Sequence, residues 1–246
     1  MKVLLSIAGS DSSGGAGIQA DIKTAEYFKI FSTTALTALT AQNTMGVKEI
    51  VNISPSFVKA QIDTVKEDFQ ISAVKIGMLF NKEIIDVVED FIKYLDIPIV
   101  IDPVFISKAG STLMSDENIK YMKNLFKYAT ILTPNLYEAK VLFGDDLNVI
   151  APCNVVIKNI KENDFSIDRL FYKNGNIKEF KNEFINTENL HGTGCSFSTA
   201  IACNLALGNS LENSVKISKE FITKAIKNAP NLGHGKGPIL HNLNDL

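Results

Sequence analysis

Short apolar segments rich in β-branched residues recur along this chain, each followed by a longer amphipathic segment, and that alternation constrains the fold more than any other feature. A strand made almost wholly of Val, Ile and Leu has no face to offer water, so it belongs inside a parallel sheet covered on both sides by helices. Residues 3–8 read as the first such strand and 15–29 as the helix after it. Residues 32–41, rich in Thr and Ala, extend into the sheet. Ser54 followed by Pro55 is an N-cap with proline at N1, opening a helix to about Phe69. Residues 73–76 form a strand, Asn81 caps a helix over 82–94, and 98–101 is a strand ending at Asp102. Ser115 caps 116–126, 130–133 is a strand, and Asn135 opens another helix. Residues 155–157 are a strand, 169–180 a hairpin turning on Asn174-Gly175, and helices over 194–207 and 211–229 finish the chain. Without a repeat, linker or low-complexity tract, all 246 residues read as one α/β domain.

Composition narrows the partners. Apolar residues make up 46%, enough for a sizeable core, and the net charge is −2 with both signs interspersed. There is no basic stripe to release counterions, so nucleic acid is not expected. No run approaches the roughly 18 apolar residues of a membrane span, and the first residues do not form a signal peptide. Three scattered cysteines, Cys153, Cys195 and Cys203, suggest neither a disulfide framework nor a zinc site, and a reducing cytoplasm is the expected compartment.

In open α/β sheets ligands sit beyond the carboxyl ends of the strands. The unusual residues fall there: the glycine-rich loop after the first strand, Asp102, Asn135 and the turn His191-Gly192-Thr193-Gly194-Cys195. Glycines before a helix let N–H groups converge, and the helix start adds its positive dipole end, which suits a transferring phosphoryl group. The same turn also suits tight packing alone. Cys195, in the first turn, is open to two readings, an activated thiolate or a buried structural cysteine. The loop AGSDSSGGAGIQAD (8–21) matches neither GxGxxG nor a Walker A motif. On periodicity alone, Asp21 reads as a solvated helix charge. Asp102 and Glu138 could hold Mg²⁺ through waters, while Asn135 and Glu138 equally fit the two halves of a capping box. The histidines lack metal-ligand spacing, and no GxSxG or Ser/His/Asp set points to a hydrolase.

Eight blocks in one order carry a resemblance: AGSDSSGGAGIQAD (8–21), TALTAQNTMGV (37–47), KIGML (75–79), DPV (102–104), SKAG (107–110), TPNLYEA (133–139), HGTGCSFSTA (191–200) and GHGKGP (233–238). Together they resemble the hydroxymethylpyrimidine and phosphomethylpyrimidine kinases of thiamine biosynthesis. These belong to the ribokinase-like superfamily, which also includes pyridoxal kinases. The resemblance implies a three-layer α/β fold, with a central, mainly parallel sheet and helices on both faces. It implies ATP and Mg²⁺ as cofactors, a small pyrimidine alcohol and its monophosphate as substrates, and a homodimer. By matching motif, Gln42 would bind the pyrimidine, with Gly9, Asp21, Met78 and Val104 completing the pocket. Gly192, Thr193 and Gly194 would form the anion hole, and Cys195 would stand where most relatives carry a catalytic Asp. Asp102 and Glu138 would organise magnesium, Asn135 and Lys158 would approach the nucleotide, and 105–114 would be a flap over the substrate.

Two departures stand out. The family's Lys-Gly-Gly-His run is here Lys158-Asn159-Ile160-Lys161, and the stretch from Glu138 to Lys158 is shorter by about a helix, with 144–152 bridging directly to the strand. They motivate a second reading as a non-catalytic nucleotide-binding homologue, against which the retained Asp102, Glu138, Lys158 and GTGC turn argue. A pyridoxal kinase is the other alternative, and the absence of cysteine from 104–110 favours the pyrimidine.

Overall fold

The computed structural model describes residues 1–105 and 116–243. The expected flap at 105–114 and the Ser115 cap therefore lie, but for Phe105, outside the described residues.

β1 (Val3–Asp11) leads through a glycine loop into α1 (Gly17–Tyr27), two residues later than the pattern suggested. β2 (Phe31–Asn43) outruns the expected strand and turns back as β3 (Gly46–Asn52), where Lys48 and Glu49 interrupt the apolar residues and none is fully buried, so no apolar run announces it. Ser54 caps α2 (Pro55–Asp68) by accepting from the Phe57 N–H, with proline at the helix start as expected. β4 (Ala73–Ile76) precedes α3 (Lys82–Ile92), whose cap Asn81 accepts from the Ile84 N–H. β5 (Ile99–Ile101) comes next, and then α4 (Asp116–Met122), which tightens into a 3-10 segment, Lys123–Tyr128.

β6 (Ile131–Leu132) leads into α5 (Leu136–Phe143), and 144–153 run on without helix or strand, the direct bridge that the sequence suggested. β7 (Asn154–Glu162), β8 (Phe165–Phe171) and β9 (Ile177–Glu183) form an antiparallel meander. Gly175 makes the expected turn with φ +89°, while the earlier turn at Asn163, φ +53°, was not foreseen. α6 (Thr193–Ala206) and α7 (Leu211–Lys227) close the fold.

These strands form one sheet in the order β3-β2-β1-β4-β5-β6-β7-β8-β9, parallel from β2 through β7 and antiparallel at both edges. Alternation sorts the side chains. Leu5, Ile7, Val74, Ile76, Ile99 and Ile101 pack with α2, α3, α4 and α5 on one face. Leu4, Ala73, Val100, Ile131 and Val156 pack with α1, α6 and α7 on the other. Each fully buried aliphatic side chain stabilises this three-layer arrangement by about 1.5–3 kcal/mol. The chain leaves β1 toward β2 on one side and reaches β4 on the other, so the loops diverge beyond the carboxyl end of β1, where a crevice opens. Among the described residues no helix is long and apolar enough to cross a membrane.

Candidate active site

A cavity of about 490 Å³ lies in that crevice, and α6 points its N-terminus into it. Gly192 caps the helix with φ +84°, and a Cβ there would lie 1.8 Å from the Gly15 carbonyl oxygen, so only glycine lets the two loops touch. Thr193 N–H reaches Leu190 O and Ser196 N–H reaches Gly192 O. The intervening amides of Gly194 and Cys195 have no acceptor among the described residues. They form an anion-binding mouth at the helix's positive end.

One end of the cavity is lined by Gly9, Met78, Val104 and Gln42. A Cβ on Gly9 would come within 2.5 Å of the Met78 methyl carbon, so glycine makes room for the thioether. Asp21 is not part of this wall. Its carboxylate is fully buried, holding Lys75 at 2.8 and 2.9 Å, Ser6 Oγ at 2.5 Å and Thr199 Oγ1 at 2.7 Å. This corrects both sequence readings of Asp21, solvated charge and pocket residue. Lys75 stands between it and the cavity and lines the cavity itself. Burial works against the Lys75 ammonium, but the Asp21 carboxylate, then Cys195 and Asp102, more than offset it and hold it charged.

Beyond the anion mouth, Asp102 is buried at the end of β5 and accepts from Lys158 Nζ at 2.5 Å and Thr133 Oγ1 at 3.1 Å. Burial opposes the charge on Lys158 too, and Asp102 and Glu138 override it. Glu138 and Asn135 form the reciprocal capping box, with the Asn135 N–H on Glu138 Oε2 at 2.8 Å and the Glu138 N–H on Asn135 Oδ1 at 2.9 Å. Both still line the cavity, but the Asn135 side-chain oxygen is already engaged. Burial pushes the Glu138 carboxyl up to about 7, Lys158 opposing and Asp102 adding to the rise.

The described residues contain no cluster of three or more His, Cys, Asp or Glu that could cage a metal. Two buried acids facing one ammonium fit instead a magnesium that keeps its waters and shares a phosphate, which takes one or two carboxylates from the protein.

Cys195 departs from the thiolate reading. Burial pushes its thiol up to about 11, Lys75 opposing and Asp21 and Asp102 reinforcing, so the resting group is a neutral thiol. Asn159 answers the first sequence departure. It adopts φ +59° at a bulge between Ile157 and Ile160, a conformation that asparagine tolerates better than most residues other than glycine. Its N–H donates to Asp168 Oδ1 at 2.7 Å, and Asp168 Oδ2 pairs with Lys219 at 3.1 Å.

Several lining groups escaped sequence reasoning. Asp168, Lys219 and the apolar Phe184, Ile185, Ile222 and Ile226 line the far end. The apolar ones are indistinguishable in sequence from core residues. Asp11 and His191 pair at 2.7 Å across 180 positions. Burial raises Asp11, but hydrogen bonds from His191 and Ser13 bring it down to about 2.

A helix N-terminus with free amides and an acid–lysine pair on the wall of one cavity fit a small-molecule phosphotransferase on a ribokinase-like α/β/α fold. The chain matches the family model for phosphomethylpyrimidine kinase over residues 11–240. It is 40% identical over 262 residues to the hydroxymethylpyrimidine/phosphomethylpyrimidine kinase of Haemophilus influenzae, covering 98% of this chain and 97% of that protein. An ADP complex of Bacillus subtilis pyridoxal kinase superposes with a TM-score of 0.89 at 32% identity, covering 100% of this chain and 99% of that one. The phosphomethylpyrimidine kinase of Clostridium difficile 630 superposes with a TM-score of 0.78 at 36% identity, covering 92% and 100%. The chain belongs to the phosphomethylpyrimidine kinase family.

Proposed function

We propose that the protein transfers the γ-phosphoryl group of ATP to the hydroxymethyl group of an aminopyrimidine, and then a second phosphoryl group to the monophosphate formed, in thiamine biosynthesis. One observation carries the reading. A single cavity joins the Gln42 end, the free amides of α6 and the Lys158–Asp102 pair, so acceptor, transferring group and nucleotide phosphates can be in line. In each step the acceptor oxygen bonds to the γ-phosphorus, the bond to the β-phosphate bridge breaks, and ADP leaves.

The Gly194 and Cys195 amides face the charge that develops on the transferring group, and Lys158 faces the phosphates. Magnesium, held by Asp102 and Glu138, would neutralise phosphate charge. A neutral Cys195 thiol beside the acceptor does not repel a monophosphate, and in the first step only its minor thiolate form can take the hydroxyl proton as the alcohol's oxygen bonds to phosphorus. The apolar far end, with Phe184 and Ile222, suits a nucleobase, and the Asp168–Lys219 pair beside it offers polar contacts.

Incubation with ATP and magnesium, together with hydroxymethylpyrimidine, its monophosphate or pyridoxal, tests the reading. Mass spectrometry should find the pyrimidine mono- and diphosphates. Phosphorylation of pyridoxal alone would overturn it in favour of the pyridoxal kinase reading, which the Bacillus subtilis likeness keeps in view.

A further inference from the structure

The Gln42 carboxamide has one end 3.3 Å from Thr40 Oγ1 and the other 3.4 Å from His191 Nε2. The oxygen and nitrogen ends of a carboxamide are nearly identical in size, so a count of protons, rather than shape, decides which end faces which neighbour. Thr40 has one hydroxyl proton, and it goes to the Ser10 carbonyl oxygen at 2.9 Å, nearer than Gln42. Toward Gln42, Thr40 therefore presents lone pairs. His191 Nε2 lies 2.7 Å from Asp11 Oδ2. That carboxylate already accepts from Ser13 N–H at 2.9 Å, Ser13 Oγ at 2.7 Å, Gly15 N–H at 3.2 Å and Ala16 N–H at 2.8 Å. A carboxylate accepting so many donors carries no proton, so the proton of the pair resides on His191 Nε2. That proton points at Asp11, so toward Gln42 the His191 Nε2 presents no lone pair, only the positive flank of an N–H already spent.

One orientation suits both neighbours: the Gln42 nitrogen donates to Thr40 Oγ1, and the Gln42 oxygen, rather than its N–H groups, faces the His191 Nε2–H. The reverse sets lone pair against lone pair at one end and N–H against N–H at the other. In the favoured orientation one N–H and one oxygen lone pair remain for a ligand, in a fixed order along the cavity wall.

We propose that Thr40 and His191 are positioning residues that lock the Gln42 carboxamide in this orientation, so that the cavity selects a ring edge with a donor amine beside an acceptor ring nitrogen. The 4-oxo analogue presents an acceptor carbonyl beside a donor ring N–H, the reversed order. A locked amide refuses it; an amide free to turn over accepts both. The inference rests on the reading above that Gln42 holds the ring.

The test measures kcat/KM for the 4-amino pyrimidine and its 4-oxo analogue in the wild type, Thr40→Val, Thr40→Ser, His191→Phe and Gln42→Leu. Wild type should prefer the amine by about a hundredfold, and Thr40→Val should shrink that preference by about tenfold, through KM and with kcat and the KM for ATP unchanged. Thr40→Ser, which keeps the hydroxyl, should restore the preference, and in a Gln42→Leu background Thr40→Val should change nothing further. His191→Phe should mimic Thr40→Val. Because it also strips Asp11 of a partner, the two Thr40 variants, which leave that contact intact, decide the matter. If Gln42→Leu leaves the pyrimidine KM unmoved, the assignment of Gln42 falls, and this proposal with it. If Gln42→Leu raises that KM while Thr40→Val leaves the preference intact, the locking alone is overturned.

Discussion

Two lysine–aspartate pairs flank the N-terminal half of α6, and they are built to opposite ends. Lys75 and Asp21 are both wholly buried, and the Asp21 carboxylate is saturated by two contacts from Lys75 and one each from Ser6 and Thr199. Lys158 and Asp102 face the cavity. Lys158 keeps 12% of its side chain exposed, and among the described residues Asp102 Oδ2 has only a 3.4 Å contact with Ser198. The Asp21 carboxylate has no capacity left for a ligand, and the first pair serves chiefly as a charged strut behind the acceptor end. The second keeps unspent valence on both partners, as a group that must engage phosphate and metal requires.

The largest effect should come from breaking the strut. Asp21→Leu leaves the Lys75 ammonium buried without its counter-charge and should cost about 3–5 kcal/mol in a urea titration. Asp21→Leu combined with Lys75→Met removes both charges and should recover most of that loss. If the single variant were as stable as the wild type, the strut reading would fail. Asp102→Asn should do the converse. Turnover should fall by about a hundredfold and more magnesium should be needed, with little change in melting temperature, because Lys158 retains access to water. A large loss of stability with activity intact would make Asp102 a second strut.

Cys195 lies between the pairs, with Lys75 lowering its pKa and Asp21 and Asp102 raising it. Cys195→Asp places a permanent charge where a neutral thiol now meets the acceptor phosphate. At about 4 Å and an effective dielectric near 20, such a pair of charges costs on the order of 4 kcal/mol. The variant should therefore keep phosphorylation of the alcohol and lose most of the monophosphate reaction. Cys195→Ala should show the opposite bias, by about tenfold or more and most at high pH, since the alcohol step loses the minor thiolate that accepts its proton. Rates on both substrates across pH check this. Equal losses on both substrates in both variants would show that the thiol only shapes the anion mouth.

How much of this was legible follows from how far each signal reaches along the chain. The apolar runs at 3–8, 73–76 and 98–101 announce strands buried on both faces, so the parallel centre of the sheet and its helical layers could be read directly. β3 is an edge strand that mixes exposed Lys48, Glu49 and Asn52 among its apolar residues, and the end of β7 runs past β6 with Lys161 and Glu162 exposed, so neither Gly46–Asn52 nor Ile160–Glu162 carries a comparable run. The glycine turn before α6 was visible because a close backbone approach demands glycine in the sequence itself. Asp21 was misread because helical periodicity knows only its own helix, while its partner stands 54 residues away. A signal did exist: a lysine inside the apolar strand Ala73–Ile76 must find a buried acid. No such signal joins Asp11 to His191, for each looks like an ordinary loop residue until the fold closes.

The finest test of the comparison uses two adjacent residues of α6, each reaching one of the two carboxylates. Thr199 Oγ1 donates to Asp21 at 2.7 Å and has no other acceptor among the described residues, so Thr199→Val leaves a buried carboxylate one donor short at nearly constant volume. Loss of a hydrogen bond to a charged acceptor costs about 1.5–3 kcal/mol, and this should appear as a lower urea midpoint with kcat unchanged. Ser198 Oγ is only 3.4 Å from Asp102 and has nearer acceptors in its own helix, Cys195 O at 2.9 Å and Gly194 O at 3.2 Å. Its proton resides on those carbonyls, so Ser198→Ala takes little from Asp102, and alanine favours the helix. Stability should move by less than about 0.5 kcal/mol, and kcat by less than about twofold. A strut loses stability when one donor is cut, while a working carboxylate that already lacks donors hardly notices. Were Ser198→Ala to match Thr199→Val in lost stability, Asp102 would be as saturated as Asp21, and the two pairs would not differ in kind.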